Sequence, residues 1–182
     1  METTVKTLII EALSNDFEIE QEVDGVHIIE KDKVRIDLLI HPKPHLLDEG
    51  FHNSWIGVEI KYFDRPEEQI GKVARFFWQA ITYQQSIYRL NGIDVRPQFV
   101  LLASNIQDVP PSKPGGFSMY RSMLQVGNLA MVGHLKVFNS DNWDIRFVSS
   151  GYMEKKNGIF KKTKSNAGCG KYIGNSSRKR KY

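Results

Sequence analysis

The sequence predicts an α/β fold in which a mixed central sheet is flanked by helices and extended by extra strands at its C-terminal end. Three observations support this prediction. The chain opens with an amphipathic helical pattern, continues with alternating patterns typical of strands, and then has a long helical pattern followed by a short strand that is expected to be fully buried. This order of helix, strands, helix and strand places helices on both sides of the sheet.

The composition is that of an ordinary globular protein, with 41% hydrophobic and 25% charged residues among 182. No apolar run approaches the ~20 residues needed to span a bilayer, and residues 1–16 lack the layout of a secretory signal. Cys169 is the only cysteine, which excludes an intrachain disulfide and a thiolate-based zinc cluster. We therefore expect a cytoplasmic protein, in a bacterial or a host cell, without a membrane partner.

The net charge of +4 is distributed unevenly along the chain. Residues 155–182 contain ten Lys and Arg and no Asp or Glu, whereas residues 1–154 contain 15 basic and 21 acidic side chains. A basic end is typical of chains that contact nucleic acid, and a solubilising tail has the same composition. The sequence predicts one domain over residues 1–162 and a disordered basic tail over 163–182.

The first elements follow from local periodicity. Residues 3–14 predict a helix with one apolar stripe, made of Val5, Leu8, Ile9, Ala12 and Leu13. Residues 17–23 predict a half-exposed strand, Asp24-Gly25 a hairpin turn, and residues 26–30 the returning strand.

The next strand, over residues 34–40, carries an isolated carboxylate. Alternation predicts one face made of Val34, Ile36, Leu38 and Ile40 and an opposite face made of Arg35, Asp37 and Leu39. Asp37 has apolar neighbours on both sides. A buried carboxylate without a partner costs several kcal/mol, so we expect a partner for Asp37, and a metal ion is one candidate.

Residues 55–63 predict the central strand of the sheet. Ile56, Val58, Ile60 and Tyr62 share one side of it, and Trp55, Gly57, Glu59, Lys61 and Phe63 share the other. Charged side chains in a central strand need a reason. A hydrolytic site that holds a metal and polarises a phosphate would provide one.

The remaining elements are predicted more briefly. They are a loop with three histidines over 41–53, a long helix from Asp64-Arg65-Pro66 to about Asn91-Gly92, a buried strand over 97–103, a Pro/Gly-rich loop over 110–116, a short helix over 117–126, and strands over 131–138, 143–149 and 152–162. The spacing of His41, His45 and His52 matches no zinc-site pattern, so a polar loop is expected there. Most aromatic residues are expected in the core, although Trp78, Tyr88, Phe117, Tyr120 and Trp143 have side chains that can stack on bases.

Five polar residues form the candidate site. Asp37 lies on one strand, and Glu59 and Lys61 lie on the next. Gln79 and Tyr83 are four positions apart on the long helix and hence share a face of it. The alternative is a structural ion pair between Asp37 and Lys61, with Gln79 and Tyr83 facing solvent.

The pattern of Asp, then Glu-x-Lys, then Gln-x-x-x-Tyr on the following helix resembles the PD-(D/E)XK nuclease superfamily, in the branch of RecB-type nucleases. The resemblance covers residues 3 to about 104 and implies a restriction-endonuclease-like αβββαβ core. Ile36 stands where the family name has proline, a residue that is often missing in the family. The segment between Asp37 and Glu59 is long, so it is a candidate for substrate contacts or a lid.

The resemblance also implies roles. Asp37, Glu59 and the backbone carbonyl of Ile60 would bind Mg²⁺ or Mn²⁺. Lys61 would hold or deprotonate the attacking water and stabilise the developing anion. Gln79 would orient Lys61 or a phosphate.

Further ligands and contacts complete the expected site. The family often adds an acidic residue from the first helix, for which Glu11 is slightly favoured over Glu2. The expected DNA contacts are Tyr83, Lys72, Lys179 and Arg180.

The sequence thus predicts a metal-dependent deoxyribonuclease that acts as an endonuclease or nickase. A small nuclease of this kind suggests, by analogy, a phage or a mobile element as its source. The alternatives are a DNA-binding module that does not cut, an RNA nuclease, and a protein-binding inhibitor on the same fold. Oligomeric state stays open, with a homodimer among the options.

Overall fold

The computed structural model of the chain describes residues 2–63, 70–105, 123, 126–127, 129–139, 141–147 and 150–162. The helices in these ranges are Glu2–Leu13 (α1), Pro44–Asp48 (α2) and Ile70–Gln84 (α3). The strands are Phe17–His27 (β1), Lys33–Pro42 (β2), Ile56–Lys61 (β3), Ser86–Leu90 (β4), Ile93–Val95 (β5), Phe99–Ser104 (β6), Val132–Asn139 (β7), Asn142–Phe147 (β8), Ser150–Lys156 (β9) and Ile159–Lys162 (β10). No helix within these ranges is long and apolar enough to cross a membrane.

One mixed sheet contains all of these strands, in the order β10-β9-β8-β7-β6-β3-β2-β1-β4-β5. The pairs β3–β6 and β6–β7 are parallel, and the other pairs are antiparallel. The chain reaches β6 from β3 by way of α3, since parallel neighbours require a long connection. The sequence prediction of an α/β fold with a mixed sheet is confirmed, and β3 and β6 lie near the middle of the sheet as expected.

Two hydrophobic cores lie on the two faces of the sheet, one under α1 and one under α3. The α1 core contains Ile9 and Leu13 together with Ile56, Val58 and Ile60 of β3. The α3 core contains residues from α3, β2, β6 and β7, among them Val73, Phe76, Phe77, Ala80, Tyr83, Ile36, Leu39, Val100, Leu102 and Val132. Of the stripe predicted for α1, only Leu8 is exposed. The helices therefore cover both faces, and the alternation predicted for β3 is confirmed.

The predicted turn at Asp24-Gly25 is wrong, because β1 continues through both residues to His27. Gly25 is required for close packing instead. A Cβ on this residue would lie 2.6 Å from Cδ1 of Tyr88, whose ring covers this part of the strand. The actual turn follows His27, and there Lys31 adopts a left-handed φ of 62° and its N–H donates to the His27 carbonyl.

The long helix ends earlier than the sequence predicts. After α3 ends at Gln84, residues 86–95 form the hairpin β4–β5, turning at Asn91-Gly92 with φ of 50° and 84°. Asn-Gly with two positive φ values is the preferred two-residue hairpin turn. Ile87 is consequently a half-exposed strand residue. Ser86 and Tyr88 are the residues of β4 that are buried.

A second Asn-Gly pair divides the last predicted strand. Residues 152–162 were expected to form one strand, yet Asn157-Gly158 forms a turn between β9 and β10. The predicted loop over 41–53 likewise contains the short helix α2. The predicted loop over 110–116, most of the predicted helix over 117–126, the start of the long helix at 64–66 and the tail over 163–182 lie outside the described residues.

Strands β1 and β2 both switch faces at one cross-strand position. Glu22 and Asp37 stand opposite each other, between the pairs Gln21–Leu38 and Val23–Ile36. Glu22 has a φ of 51°, in the left-handed region that residues other than glycine rarely adopt.

Side-chain packing shows the consequence for β2. Leu38 and Ile40 pack in the α1 core, whereas Ile36 packs in the α3 core. The single apolar face predicted for residues 34–40 is therefore wrong. Asp37 occupies the point where the alternation reverses.

Candidate functional site

The carboxyl groups of Asp37 and Glu59 meet where β2 and β3 separate. The strands pair from Leu38–Val58 to Ile40–Ile56, and beyond these pairs the Ile60 N–H donates to Oδ2 of Asp37 at 2.7 Å. The Asp37 and Glu59 carboxyl groups are within hydrogen-bonding reach of each other. The side chain of Asp37 thus occupies a position that a backbone carbonyl would take in a continuous ladder.

The electrostatics of Asp37 reflect this position. Burial raises the pKa of its carboxyl group, the hydrogen bond from Ile60 opposes the increase, and the negative charge of Glu22 adds to it. Glu59 is only 6% exposed. Two carboxylates this close repel each other unless a proton or a cation lies between them.

The structure adds Glu22 and Lys6, which the sequence analysis did not identify. The Lys6 ammonium of α1 forms an ion pair with Oε1 of Glu22, and Nε of Arg35 lies 3.1 Å from Oε2. Glu22 and Lys6 also influence the pKa of Asp37, so these charged residues border the site. No sequence signal identified them, because Glu22 approaches Asp37 only through strand pairing and a left-handed backbone.

Lys61 lies two residues after Glu59 on the same face of β3 and is half-buried. In the parallel register its neighbour on β6 is Ser104. The amide of Asn105 anchors the chain just beyond it: the Phe63 N–H donates to Oδ1 of Asn105 at 2.9 Å, and Nδ2 of Asn105 donates to the Phe63 carbonyl at 2.7 Å. Asn105 therefore fixes the end of β3 that carries Lys61.

Helix α3 brings Tyr83 to the carboxylates. Tyr83 is 7% exposed, and its hydroxyl group hydrogen-bonds with Glu59. Burial, followed by the negative charges of Glu59 and Asp37, raises the pKa of the Tyr83 phenol. Gln79, one turn earlier, is half-buried and borders the same surface groove as Tyr83. The alternative in which Tyr83 faces solvent is therefore wrong.

The structure does not bring Glu11 to this site. Glu11 is exposed and lines a cleft on the α1 side of the sheet, together with Tyr62 and Lys136. Lys6, which borders the site, lies one turn after Glu2 on α1. The side chain of Glu2 lies outside the described residues.

The other predicted contacts are distributed unevenly. Lys72 is exposed on α3, one turn before Arg75, whereas Lys179 and Arg180 lie outside the described residues. Tyr83 was expected to contact the DNA backbone, yet its hydroxyl group contacts Glu59. Among the aromatic residues considered for stacking, Trp143 and Tyr88 are fully buried and Trp78 is exposed.

The oxygen donors fit a small divalent cation in part. Within the described ranges, no group of three or more His, Cys, Asp or Glu side chains is arranged to hold a metal. Asp37 and Glu59 nevertheless provide two neighbouring carboxylates. Mg²⁺ usually keeps several waters and is bound by one or two carboxylates together with substrate phosphates. The site therefore matches Mg²⁺ or Mn²⁺ better than a metal that needs a complete set of protein ligands.

No protein-family model matches the chain, and the searches of curated proteins and of solved structures returned no match either.

Proposed function

We propose that this protein is a metal-dependent deoxyribonuclease that hydrolyses DNA phosphodiester bonds at Asp37 and Glu59. One observation carries the proposal. Two carboxyl groups from neighbouring strands lie within hydrogen-bonding reach of each other, and Lys61 lies on the same face of β3 as Glu59. Carboxylates bind Mg²⁺ together with substrate phosphates, and an ammonium group beside them can stabilise the charge that develops on the phosphate during hydrolysis.

Each side chain then has a chemical task. Asp37 and Glu59 would hold Mg²⁺ or Mn²⁺, which polarises the phosphate and lowers the pKa of a bound water. The Ile60 N–H keeps the Asp37 carboxylate oriented by its hydrogen bond. Lys61 would position the attacking water and stabilise the charge that develops on the phosphate. Tyr83 would hold Glu59 in place, and Gln79 would contact Lys61 or a phosphate.

The topology supports the same reading. When the short helix α2 and the hairpin β4–β5 are left out, helix α1, the antiparallel strands β1–β3, helix α3 and strand β6, which is parallel to β3, occur in the order αβββαβ. This order is the one implied by the resemblance to PD-(D/E)XK nucleases. The hairpin β4–β5 and strands β7–β10 extend the sheet on both sides.

The test is cleavage of supercoiled plasmid and of end-labelled single- and double-stranded oligonucleotides with Mg²⁺ or Mn²⁺, with and without EDTA. We expect cleavage that EDTA abolishes, and loss of cleavage in Asp37→Asn, which keeps the shape of the side chain. Glu18→Gln, an exposed substitution on β1, is the matched control and should cut at the wild-type rate.

Calorimetry with Mn²⁺ tests the metal separately. Wild type should bind Mn²⁺ and gain thermal stability by mass action, and Asp37→Ala should bind it more weakly. Equal affinities would contradict the proposed metal site. Cleavage of RNA alone would favour the RNA nuclease, and DNA binding without any cleavage would favour the non-cutting module.

A further inference from the structure

A surface groove lies between the outer side of α3 and the first half of β2. It is lined by Lys33, Val34, Arg35, Arg75, Trp78, Gln79, Thr82 and Tyr83. None of the described residues that line it is acidic. The groove therefore has a positive charge, although residues 1–154 as a whole carry more acidic than basic side chains.

The charges in the groove differ in their environments. Arg35 is bound to Glu22 through Nε. Lys33 and Arg75 are exposed at the surface. Lys72 and Arg75 are three positions apart and hence neighbours on the helix surface. Exposed cations in a groove whose described lining contains no acidic side chain match the charge of a phosphate backbone.

Trp78 gives the groove a second property. It is 63% exposed, three positions after Arg75 on the same outward side of α3. An exposed indole ring offers a flat apolar surface on which a base can stack. The bases of an intact duplex already stack on each other, so only an unpaired base can reach such a ring.

The inner end of the groove is the candidate site. Tyr83 lines the groove and also hydrogen-bonds with Glu59. Gln79 directly follows Trp78 in α3 and shares a helix face with Tyr83, four positions later. A DNA strand bound in the groove would therefore run from Trp78 towards the carboxylates of Asp37 and Glu59.

We propose that this groove binds a single-stranded segment of DNA, with one base stacked on Trp78 and the phosphates on Lys33 and Arg75. This inference rests on the proposed nuclease function and names its substrate class: DNA with a single-stranded end, flap or gap, rather than intact duplex. Stacking selects the unpaired base, and the cations bind the backbone without regard to sequence.

The experiment measures binding without cleavage, by fluorescence anisotropy of a labelled 20-nucleotide DNA in EDTA with the full chain. Trp78→Ala should weaken single-strand binding roughly 5- to 150-fold, the range for loss of one stacked base. Trp78→Phe should keep part of the affinity. Arg75→Ala should weaken binding and reduce the slope of log affinity against log salt by about 0.7, the value for one phosphate contact on a single strand.

Phe138→Ala is the matched control for Trp78. Phe138 is an aromatic residue that is 59% exposed and lies beside Lys136, outside the groove. This control should bind like wild type. Equal binding by Trp78→Ala and wild type would overturn the proposal, as would tighter binding of blunt duplex than of single strands or of RNA than of DNA.

Failure of this inference can be told apart from failure of the nuclease proposal. Cleavage that depends on Asp37, together with wild-type binding by Trp78→Ala, would overturn the groove alone. Single-strand binding that depends on Trp78, without cleavage under any metal condition, would uphold the groove and overturn the nuclease.

Discussion

Glu59 is a carboxylate with 6% exposure in the middle of a sheet, in contact with a tyrosine hydroxyl and another carboxyl group. Burying charged groups together reduces stability unless they are hydrogen-bonded or bind an ion. The same low-polarity surroundings strengthen the attraction between such a pair and a cation. A cluster that is unfavourable for folding is thus suited to binding a metal.

Lys61→Ala tests the chemistry at residue scale. We expect DNA binding within a few-fold of wild type and a cleavage rate lower by about 10²–10⁴, because the ammonium acts mainly in the transition state. Glu59→Ala should lose similar activity and recover part of it in excess Mn²⁺, whereas Lys61→Ala should not recover. Gln79→Ala should lie between these variants and wild type.

Thermal melts provide the control for Lys61→Ala. If Lys61 served only to pair with Asp37, the substitution would leave a carboxylate without its partner and lower the melting temperature. Cleavage at the wild-type rate, or loss of activity only through unfolding, would contradict the proposed role of Lys61.

His134 of β7 predicts a dependence of stability on pH. It is 8% exposed, and its Nδ1 has no hydrogen-bond partner among the described residues. Burial, followed by the charges of Arg146 and Lys136, lowers the pKa of His134 to about 4. In the unfolded chain the pKa of His134 is near 6.5. As the pH falls from about 6.5 towards 4, His134 is therefore protonated in the unfolded chain and stays neutral in the folded chain.

We expect this difference in protonation to lower the free energy of unfolding by about 2 kcal/mol when the pH falls from 7 to 5. His134→Gln should remove that part of the pH dependence, whatever its effect on stability at pH 7. Denaturant unfolding of both proteins at several pH values measures the difference. Parallel curves would contradict the prediction.

At the scale of elements, a buried ion network connects the C-terminal strands to the start of the chain. Asp16, between α1 and β1, accepts hydrogen bonds from Nζ of Lys155 on β9 at 2.9 and 3.1 Å and from Nε1 of Trp143 on β8 at 2.8 Å. Nε2 of His45 lies 3.2 Å from the same carboxylate, and the His45 and Lys155 side chains both pack on Phe160. This one carboxylate joins α2, β8 and β9.

Asp16→Ala should therefore destabilise the fold by about 3–5 kcal/mol, since it leaves the buried Lys155 ammonium uncompensated. Adding Lys155→Met should restore part of the loss. Glu154→Gln, which removes a partly exposed pair with Lys161, is the control and should cost less than about 1 kcal/mol. A small effect of Asp16→Ala in denaturant unfolding would show that the network does not hold these strands.

At the scale of the whole molecule, the charge asymmetry leads to a prediction about the tail. Residues 163–182 contain six Lys and Arg and no acidic residue. If they contact phosphates diffusely, their removal should weaken DNA binding and reduce its salt dependence, while Mn²⁺ binding and the melting temperature stay unchanged. The measurement is affinity against salt concentration for residues 1–162 and the full chain. An unchanged slope would assign the tail to another role.

The sequence by itself determined the class of the fold and which candidate residues of β3 and of α3 share a face, because these follow from local periodicity. A period of two placed Glu59 and Lys61 on one face of β3, and a spacing of four aligned Gln79 with Tyr83 on α3. The turns at Asn91-Gly92 and Asn157-Gly158 also have a local sequence signal, because Asn-Gly favours a hairpin turn. The sequence prediction missed both, because the residues around them fit a longer helix and a longer strand.

Only the tertiary structure decided the rest, because it depends on contacts between distant residues. The reversal of β1 and β2 at Glu22 and Asp37 breaks the alternation that a pattern assumes, and strand pairing alone reveals it. Gly25 predicts a turn from its sequence, whereas the structure shows that the ring of Tyr88 packs over it. The Lys6–Glu22 contact likewise joins residues 16 positions apart. Such contacts arise when helices and strands pack, and no local spacing encodes them.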